Sequence, residues 1–184
     1  MLILLWILIA ILILAVLVFI VYFNRFAILE RRIENSLSQI DVQLKKRVDL
    51  VPNLVATVKG YAKHEKGIME SVSNARKALI GAKDIVGKMK AGNQLASAMG
   101  KLFAIAENYP QLRANENFLQ LQQELAAIED KVAYARQYYS DSILTYNTLC
   151  TTLPGAFFAN LYSKKQKEFF KIPEAQRALP KVEF

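Results

Sequence analysis

Two side chains in the sequence have the chemistry of nucleophilic catalysis, Cys150 and His64. A thiol nucleophile needs a nearby base to remove its proton, and His64 is the one histidine in the chain. His64 is far in sequence from any candidate partner, and Cys150 follows Leu149 on the apolar face of a predicted helix, where a free thiol behaves as a small hydrophobic residue. The sequence therefore predicts a protein that is not an enzyme and has no catalytic residue.

Metal binding and cofactor binding are not indicated either. A carboxylate metal site in a helical bundle requires inward-pointing Glu-x-x-His pairs, and one histidine cannot provide them. We expect no metal and no cofactor. Charged residues close to the predicted helix seam, Arg47, Glu129 and Arg136, could instead form a buried ion network that fixes the helix register. The alternative is that each of them lies on a solvated helix face.

The stretch that organises the chain is Leu2–Phe23, which has no charge, no Gly and no Pro. As a helix rising about 1.5 Å per residue it would span about 33 Å, close to the hydrocarbon thickness of a bilayer. A cleaved signal peptide would have a basic start, a shorter apolar run and a small-residue cleavage site, which are lacking here. We expect a transmembrane anchor over residues 1–23, with Trp6, Tyr22 and Phe23 as aromatic residues at the two interfaces.

The charges that follow the anchor predict its orientation. Arg25, Arg31 and Arg32 lie within the first turns after Phe23, and Lys/Arg-rich flanks stay in the cytoplasm. We therefore expect a single-pass protein of the cytoplasmic (inner) membrane, with a short outer N-terminus and a cytoplasmic body.

The net charge and the cysteine count limit the partners. A formal net charge of +8, most of it between residues 25 and 90, favours attraction to anionic lipid headgroups. The chain shows no recognisable nucleic-acid-binding module, so we expect membrane lipids and no nucleic acid as partners. A single cysteine excludes an intramolecular disulfide and suits a reducing compartment.

After the anchor, apolar residues recur every three or four positions, which predicts helices. The first apolar face runs from Leu29 to Val58, with a kink at Pro52 because the periodicity continues across the proline. A turn over residues 60–64 precedes a second stripe from Ile68 to Met89. We expect another turn at Gly92-Asn93 and a third helix ending at Pro110.

The fourth helix has the clearest pattern. From a possible cap at Asn115, apolar and small residues alternate strictly in threes and fours from Phe118 to Leu153, the period of a coiled-coil seam. Pro154-Gly155 would end it. The predicted fold is all-α: an N-terminal transmembrane helix, then an antiparallel four-helix bundle with long coiled-coil-like helices over residues 24–153.

Residues 154–184 form an aromatic and basic tail. Alternating helix directions would return the chain to the bilayer near Leu153, so these side chains could contact the membrane surface. An equally weighted alternative is that the aromatic residues close the open end of the bundle. The membrane-surface candidates are Phe157, Phe158, Tyr162, Lys164, Lys165, Lys167, Phe169 and Phe170.

Three stretches together resemble the LemA family. Asp41–Leu54 with Val58–Glu65 looks like its signature, Glu107–Phe118 is similar to its second motif, and the run from Tyr146 to Phe184 resembles its C-terminal end. Ser140 and Leu153 depart from residues common in the family. The motif residues, which we expect to be structural, are Asp41, Arg47, Asp49, Pro52, Asn53, Gly60, His64, Glu107, Tyr109, Pro110 and Phe118.

The resemblance implies a bacterial membrane-anchored helical bundle and supplies no reaction. Together with the anchor and the heptads, it favours a scaffolding protein that self-associates into a homo-oligomer and acts in membrane organisation. The alternative is an adaptor or regulatory partner of another membrane protein, such as a protease.

Overall fold

The structure, a computed structural model, describes residues 1–169, and every regular element in this range is a helix. The helices are α1 (Leu2–Tyr61), α2 (Lys66–Gly81), α3 (Ile85–Ala106), α4 (Pro110–Arg113), α5 (Glu116–Thr151) and α6 (Gly155–Leu161). The predicted all-α class with a long apolar helix at the N-terminus is confirmed. Phe170 and the rest of the predicted C-terminal motif lie outside the described residues.

Helix α1 runs without interruption through both Asn24 and Pro52. Proline has no backbone N–H, so Pro52 cannot donate to the carbonyl of Val48 four residues earlier. Arg76 of α2 supplies the missing donor, with its Nε 2.8 Å from the oxygen of Val48. A side chain from a neighbouring helix thus satisfies the carbonyl that the proline leaves free, and the helix continues to Tyr61.

The chain divides into two compact units, whose boundaries fall inside α1 and α5. The terminal unit comprises residues 1–34 and the chain from Tyr139 onward, and the central unit comprises Asn35–Tyr138. The sequence predicted divisions after residues 23 and 153, which differ from these boundaries. Helix α1 continues through residue 23 without a break.

The predicted apolar stripes of α1 and α5 form a large part of the core of the central unit. α1 contributes Ile40, Leu44, Val48, Val51 and Val58, and α5 contributes Phe118, Leu125, Ile128, Val132 and Ala135, all of them buried. Leu54, outside the predicted stripe, is buried as well. Leu37 and Val55 of the predicted face are only half-buried. At α5, the Oδ1 of Asn115 accepts from the N–H of Phe118 at 3.0 Å, which confirms the predicted cap.

The predicted boundary between the second and third helices is wrong. The break falls at residues 82–84, where Asp84 caps α3 by accepting from the N–H of Gly87 at 2.6 Å. Gly92 lies inside α3 instead of in a turn. A Cβ atom there would lie 3.0 Å from the Cδ2 of Leu44, so the glycine lets α3 approach α1 closely. The third helix ends at Ala106, and Pro110 begins α4.

Candidate functional site

The N-terminal part of α1 has the length and composition of a membrane span. Among the described residues, α1 is the one helix long and apolar enough, with a mean hydropathy of 3.5 in its most apolar stretch and none of that stretch buried. Leu2, Trp6 and Phe23 are exposed, and Tyr22 is half-buried. Apolar side chains this exposed, over a length that matches a bilayer, are consistent with a single-pass membrane protein.

Helix α6 packs its aromatic side chains on the end of this apolar stretch. The Phe158 ring stacks on Tyr22 with 4.5 Å between centroids, and Tyr162 meets Phe19 edge-on at 5.1 Å. The hydroxyl of Tyr162 also donates to the carbonyl oxygen of Phe19 at 2.7 Å. Phe157, on the other side of α6, is 63 % exposed. The three aromatic candidates within α6 and its C-terminal end, Phe157, Phe158 and Tyr162, therefore separate into two that contact α1 and one that is exposed.

The lysines of the tail separate in the same way. The Nζ of Lys164 lies 2.9 Å from both carboxylate oxygens of Glu30, and the ammonium of Lys167 lies 5.4 Å from the ring centroid of Tyr146. Lys167 also exchanges two 2.8 Å backbone hydrogen bonds with the side chain of Asn147. Lys165 and Phe169 are exposed. Two of the three candidate lysines thus hold the tail against the protein.

A buried arginine lies at the centre of the central unit. The side chain of Arg47 is 0 % exposed, forms an ion pair with Glu129 of α5, and donates from Nη1 to the carbonyl of Gly92 in α3 at 3.2 Å. Burial lowers the pKa of Arg47, which the carboxylate of Glu129 opposes. Burial likewise lowers the pKa of Arg136, which is opposed by the same carboxylate. Of the three residues of the expected network, Arg47 and Glu129 form an ion pair in which Arg47 is buried and Glu129 is 44 % exposed.

The other motif residues form contacts between helices or lie at the surface. Lys88 pairs with Asp41 at 2.7 Å, the Tyr109 hydroxyl donates to Glu65 at 3.0 Å, and Phe118 meets Phe103 edge-on at 5.9 Å. Asp49 forms an exposed pair with Lys45. The remaining motif residues are exposed: Pro52, Asn53, Gly60, His64, Glu107 and Pro110. Four of the motif residues, Asp41, Arg47, Tyr109 and Phe118, thus contact other elements of the fold.

A groove of about 670 Å³ opens between α1 and α5 in the central unit. Its α1 side carries the amides of Asn35, Gln39 and Gln43, spaced one helical turn apart. Its α5 side carries Asp130, Lys131, Tyr134, Ala135 and Tyr138. Tyr134 is 72 % exposed, unusually high for a large aromatic side chain in a groove. The groove is a surface on which another chain could lie.

Comparison with known proteins identifies the family. The sequence model of the LemA family matches residues 36–184. The chain belongs to the LemA family. It is 25 % identical over 174 residues to the magnetosome protein MamQ of Magnetospirillum gryphiswaldense, and 24 % identical over 175 residues to MamQ 1 and MamQ 2 of Paramagnetospirillum magneticum. These alignments cover 80 % or 81 % of this chain and 64 % of each relative, so the chain spans less than two thirds of their length.

The two residues of this LemA-family chain with the chemistry of nucleophilic catalysis, Cys150 and His64, belong to different compact units. Cys150 lies in the terminal unit, where burial raises the pKa of its thiol above the ordinary value. His64 is exposed in the turn after α1, within the central unit. In residues 1–169, no group of three His, Cys, Asp or Glu side chains could hold a metal ion. A thiol kept protonated at neutral pH is a poor nucleophile.

Sequence reasoning missed the residues that fix the tail of this LemA-family chain and those that line its groove. Glu30 and Asn147 bind the tail, yet each reads in the sequence as an ordinary polar residue on a helix face. A signal for the groove was present in Asn35, Gln39 and Gln43, which repeat every four residues beside the apolar stripe. Residues four apart lie on the same face of a helix, so this repeat predicts a face that carries amide side chains and is neither charged nor apolar.

Proposed function

We propose that this LemA-family chain is a non-enzymatic scaffolding protein of a bacterial cytoplasmic membrane, which self-associates and acts in membrane organisation. One observation supports the proposal most strongly: α1 continues from the apolar stretch to Tyr61 as one helix, so the same helix that would cross the bilayer also builds the core of the central unit. A continuous helix of this kind would connect a membrane anchor rigidly to the helical core, which suits a structural role.

The proposal includes an antiparallel four-helix arrangement in the central unit, made by α2, α3 and the parts of α1 and α5 that belong to it. Arg47 supports it because this one side chain links α1 to α3 and α5. Arg76 supports it by linking α2 to α1. A buried ionic group that contacts three helices favours a single register among them.

We assign the groove between α1 and α5 to a second copy of the same chain. Asp130 and Lys131 are neighbours on its α5 side, so a two-fold axis through the groove would place the acidic residue of one copy near the basic residue of the other. Exposed Tyr134 supplies the kind of large amphipathic side chain that is enriched at protein interfaces. The relatives named as magnetosome proteins are consistent with a structural role, and their names assign no reaction.

Light scattering on the detergent-solubilised full chain tests this proposal. We expect a mass of at least two chains that falls toward one chain on dilution, and we expect Tyr134→Ser to shift that transition to higher protein concentration. Leu119→Ser is the matched control, because Leu119 is an exposed apolar residue of α5 outside the groove. A strict monomer over a wide concentration range would refute self-association.

A further inference from the structure

A second cavity, of about 330 Å³, lies in the terminal unit where the apolar stretch ends. Tyr22 and Arg25 line it from α1, the last turns of α5 line it opposite, and Gly155 closes it at the start of α6. Tyr22 belongs to the last turn of the apolar stretch, and Arg25 follows Phe23 by two residues. If α1 crosses a bilayer, this cavity opens at the depth of the lipid headgroups.

The donors in this cavity are arranged for an anion. Arg25 is exposed and makes no hydrogen bond or ion pair with any residue in the described part of the chain, although its neighbour along the helix, Arg31, pairs with Glu34 at 2.8 Å. Thr145 and Thr152 already donate their hydroxyl protons to backbone carbonyls at 2.8 Å. Within residues 1–169 the hydroxyl of Thr148 has no such acceptor, so Thr148 can donate beside Arg25.

At the end of α5, beside the cavity, threonine hydroxyls donate to backbone carbonyl groups. Carbonyl groups in the last turn of a helix carry partial negative charge and would repel a phosphate. Here the hydroxyls of Thr151 and Thr152 donate to the carbonyls of Asn147 and Thr148 at 3.0 and 2.8 Å. These bonds neutralise part of the repulsion at the turns that line the cavity.

Apolar residues border the same cavity. Leu144 and Leu153 are 56 % and 85 % exposed. Gly155 brings α6 against α5, because a Cβ at this position would lie 2.2 Å from the carbonyl oxygen of Leu149. A cationic and hydroxyl-bearing cleft bordered by exposed leucines, at headgroup depth, matches a molecule that has a phosphate next to an acyl chain.

We propose that this cavity binds a membrane glycerophospholipid. The Arg25 guanidinium pairs with the phosphate, the Thr148 hydroxyl donates to it, and Leu144 and Leu153 contact the acyl chain. The proposal rests on the membrane anchoring put forward above and is independent of self-association. A lipid bound here would fix the depth of the terminal unit in the bilayer.

Native mass spectrometry of the full chain, delipidated in detergent and titrated with phosphatidylglycerol, measures the interaction. We expect one lipid bound per chain and an affinity at least about tenfold weaker in Arg25→Gln, because this substitution removes a charge that pairs with the phosphate. Thr148→Val should weaken binding less. Arg31→Gln removes the same charge from the same helix outside the cavity and should bind lipid like the parent protein.

The outcomes are decisive in each direction. Equal lipid affinity in Arg25→Gln and Arg31→Gln would overturn the site. Displacement of the lipid by millimolar inorganic phosphate would show that the cavity takes a free anion and would overturn the lipid assignment. Light scattering on the same samples reports self-association separately, so failure of the lipid site and failure of the scaffold proposal are distinguishable.

Discussion

At the scale of single residues, Arg47 is the most constrained side chain of the central unit. A guanidinium fully removed from water loses hydration that only charged or strongly polar partners can replace. Glu129 supplies the opposite charge, and the carbonyl of Gly92 accepts a further hydrogen bond. The charge of Glu129 also opposes the lowering of the pKa of Arg136 by burial, without a hydrogen bond between the two side chains. Removal of Glu129 therefore leaves the buried guanidinium of Arg47 without its ion-pair partner.

Glu129→Gln is expected to lower the free energy of unfolding by about 1.5–3 kcal/mol, the range for a hydrogen bond to a charged group, because Arg47 is fully buried while Glu129 itself is 44 % exposed. Chemical denaturation followed by circular dichroism measures it in the detergent-solubilised chain. Asp49→Asn is the matched control, because it breaks the exposed pair with Lys45 and should cost less than about 1 kcal/mol. Equal costs for the two substitutions would contradict a buried network.

Cys150 provides a test that depends on pH. Burial raises the pKa of its thiol, and alkylation requires the thiolate, so reaction with iodoacetamide should stay slow at pH 8 and accelerate only above the ordinary pKa of a cysteine. In the unfolded chain the thiol regains its ordinary pKa and should react faster at pH 8. A folded chain that is alkylated rapidly at pH 7 would contradict this environment and reopen a nucleophilic role.

At the scale of helices, Pro52 and Gly92 both have the local chemistry of a helix break, yet both lie inside a helix. The continued periodicity predicted the helix across Pro52, where Arg76 satisfies the carbonyl of Val48. At Gly92 the local pattern predicted a turn, whereas the glycine lies inside α3 where a Cβ atom would be 3.0 Å from Leu44.

Alanine at two glycines of α3 should have opposite effects. Gly92→Ala places a Cβ 3.0 Å from Leu44 and should destabilise the chain by about 1–3 kcal/mol through overpacking. Gly100→Ala meets nothing within 4 Å and should stabilise it by about 0.5–1 kcal/mol through the higher helix propensity of alanine. Thermal unfolding compares both variants with the parent. If both substitutions raise the melting temperature, α3 does not pack as closely on Leu44 of α1 as the structure shows.

Spacing and residue type predicted the apolar faces of α1 and α5, the Asn115 cap and the long apolar helix. The periodic stripe from Ile68 to Met89, in contrast, runs across the break between α2 and α3. The break at residues 82–84 was not predicted from the sequence. Gly92-Asn93 is a stronger local signal for a turn than Asp84, so the turn was expected there. The two cavities were likewise unpredictable, because side chains distant in sequence line them together.

At the scale of the whole molecule, several features lie close to the end of the apolar stretch of α1. Three arginines follow the apolar stretch of α1. The aromatic side chains of α6 contact Tyr22 and Phe19 at the end of the same stretch. They favour an anchor whose inner end is marked by both cationic and aromatic residues. The proposed orientation, with the central unit in the cytoplasm, follows from the arginines.

Impermeant thiol labelling of intact cells tests that orientation in a Cys150→Ser background. His64→Cys should remain unlabelled until the membrane is opened, because His64 is exposed in the turn that ends α1 and would face the cytoplasm. Leu2→Cys should label from outside, which controls for access of the reagent. The reverse pattern would place the central unit outside the cell.

Self-association at the membrane is the central claim, and in-cell photocrosslinking tests it most directly. A photoreactive phenylalanine analogue at Tyr134 samples the groove between α1 and α5, and the same analogue at Leu119 samples exposed α5 outside it. The account predicts a homodimer band that depends on the probe at position 134 and is weak at position 119. A single heterologous partner at position 134, with no homodimer, would contradict it and favour an adaptor of another membrane protein.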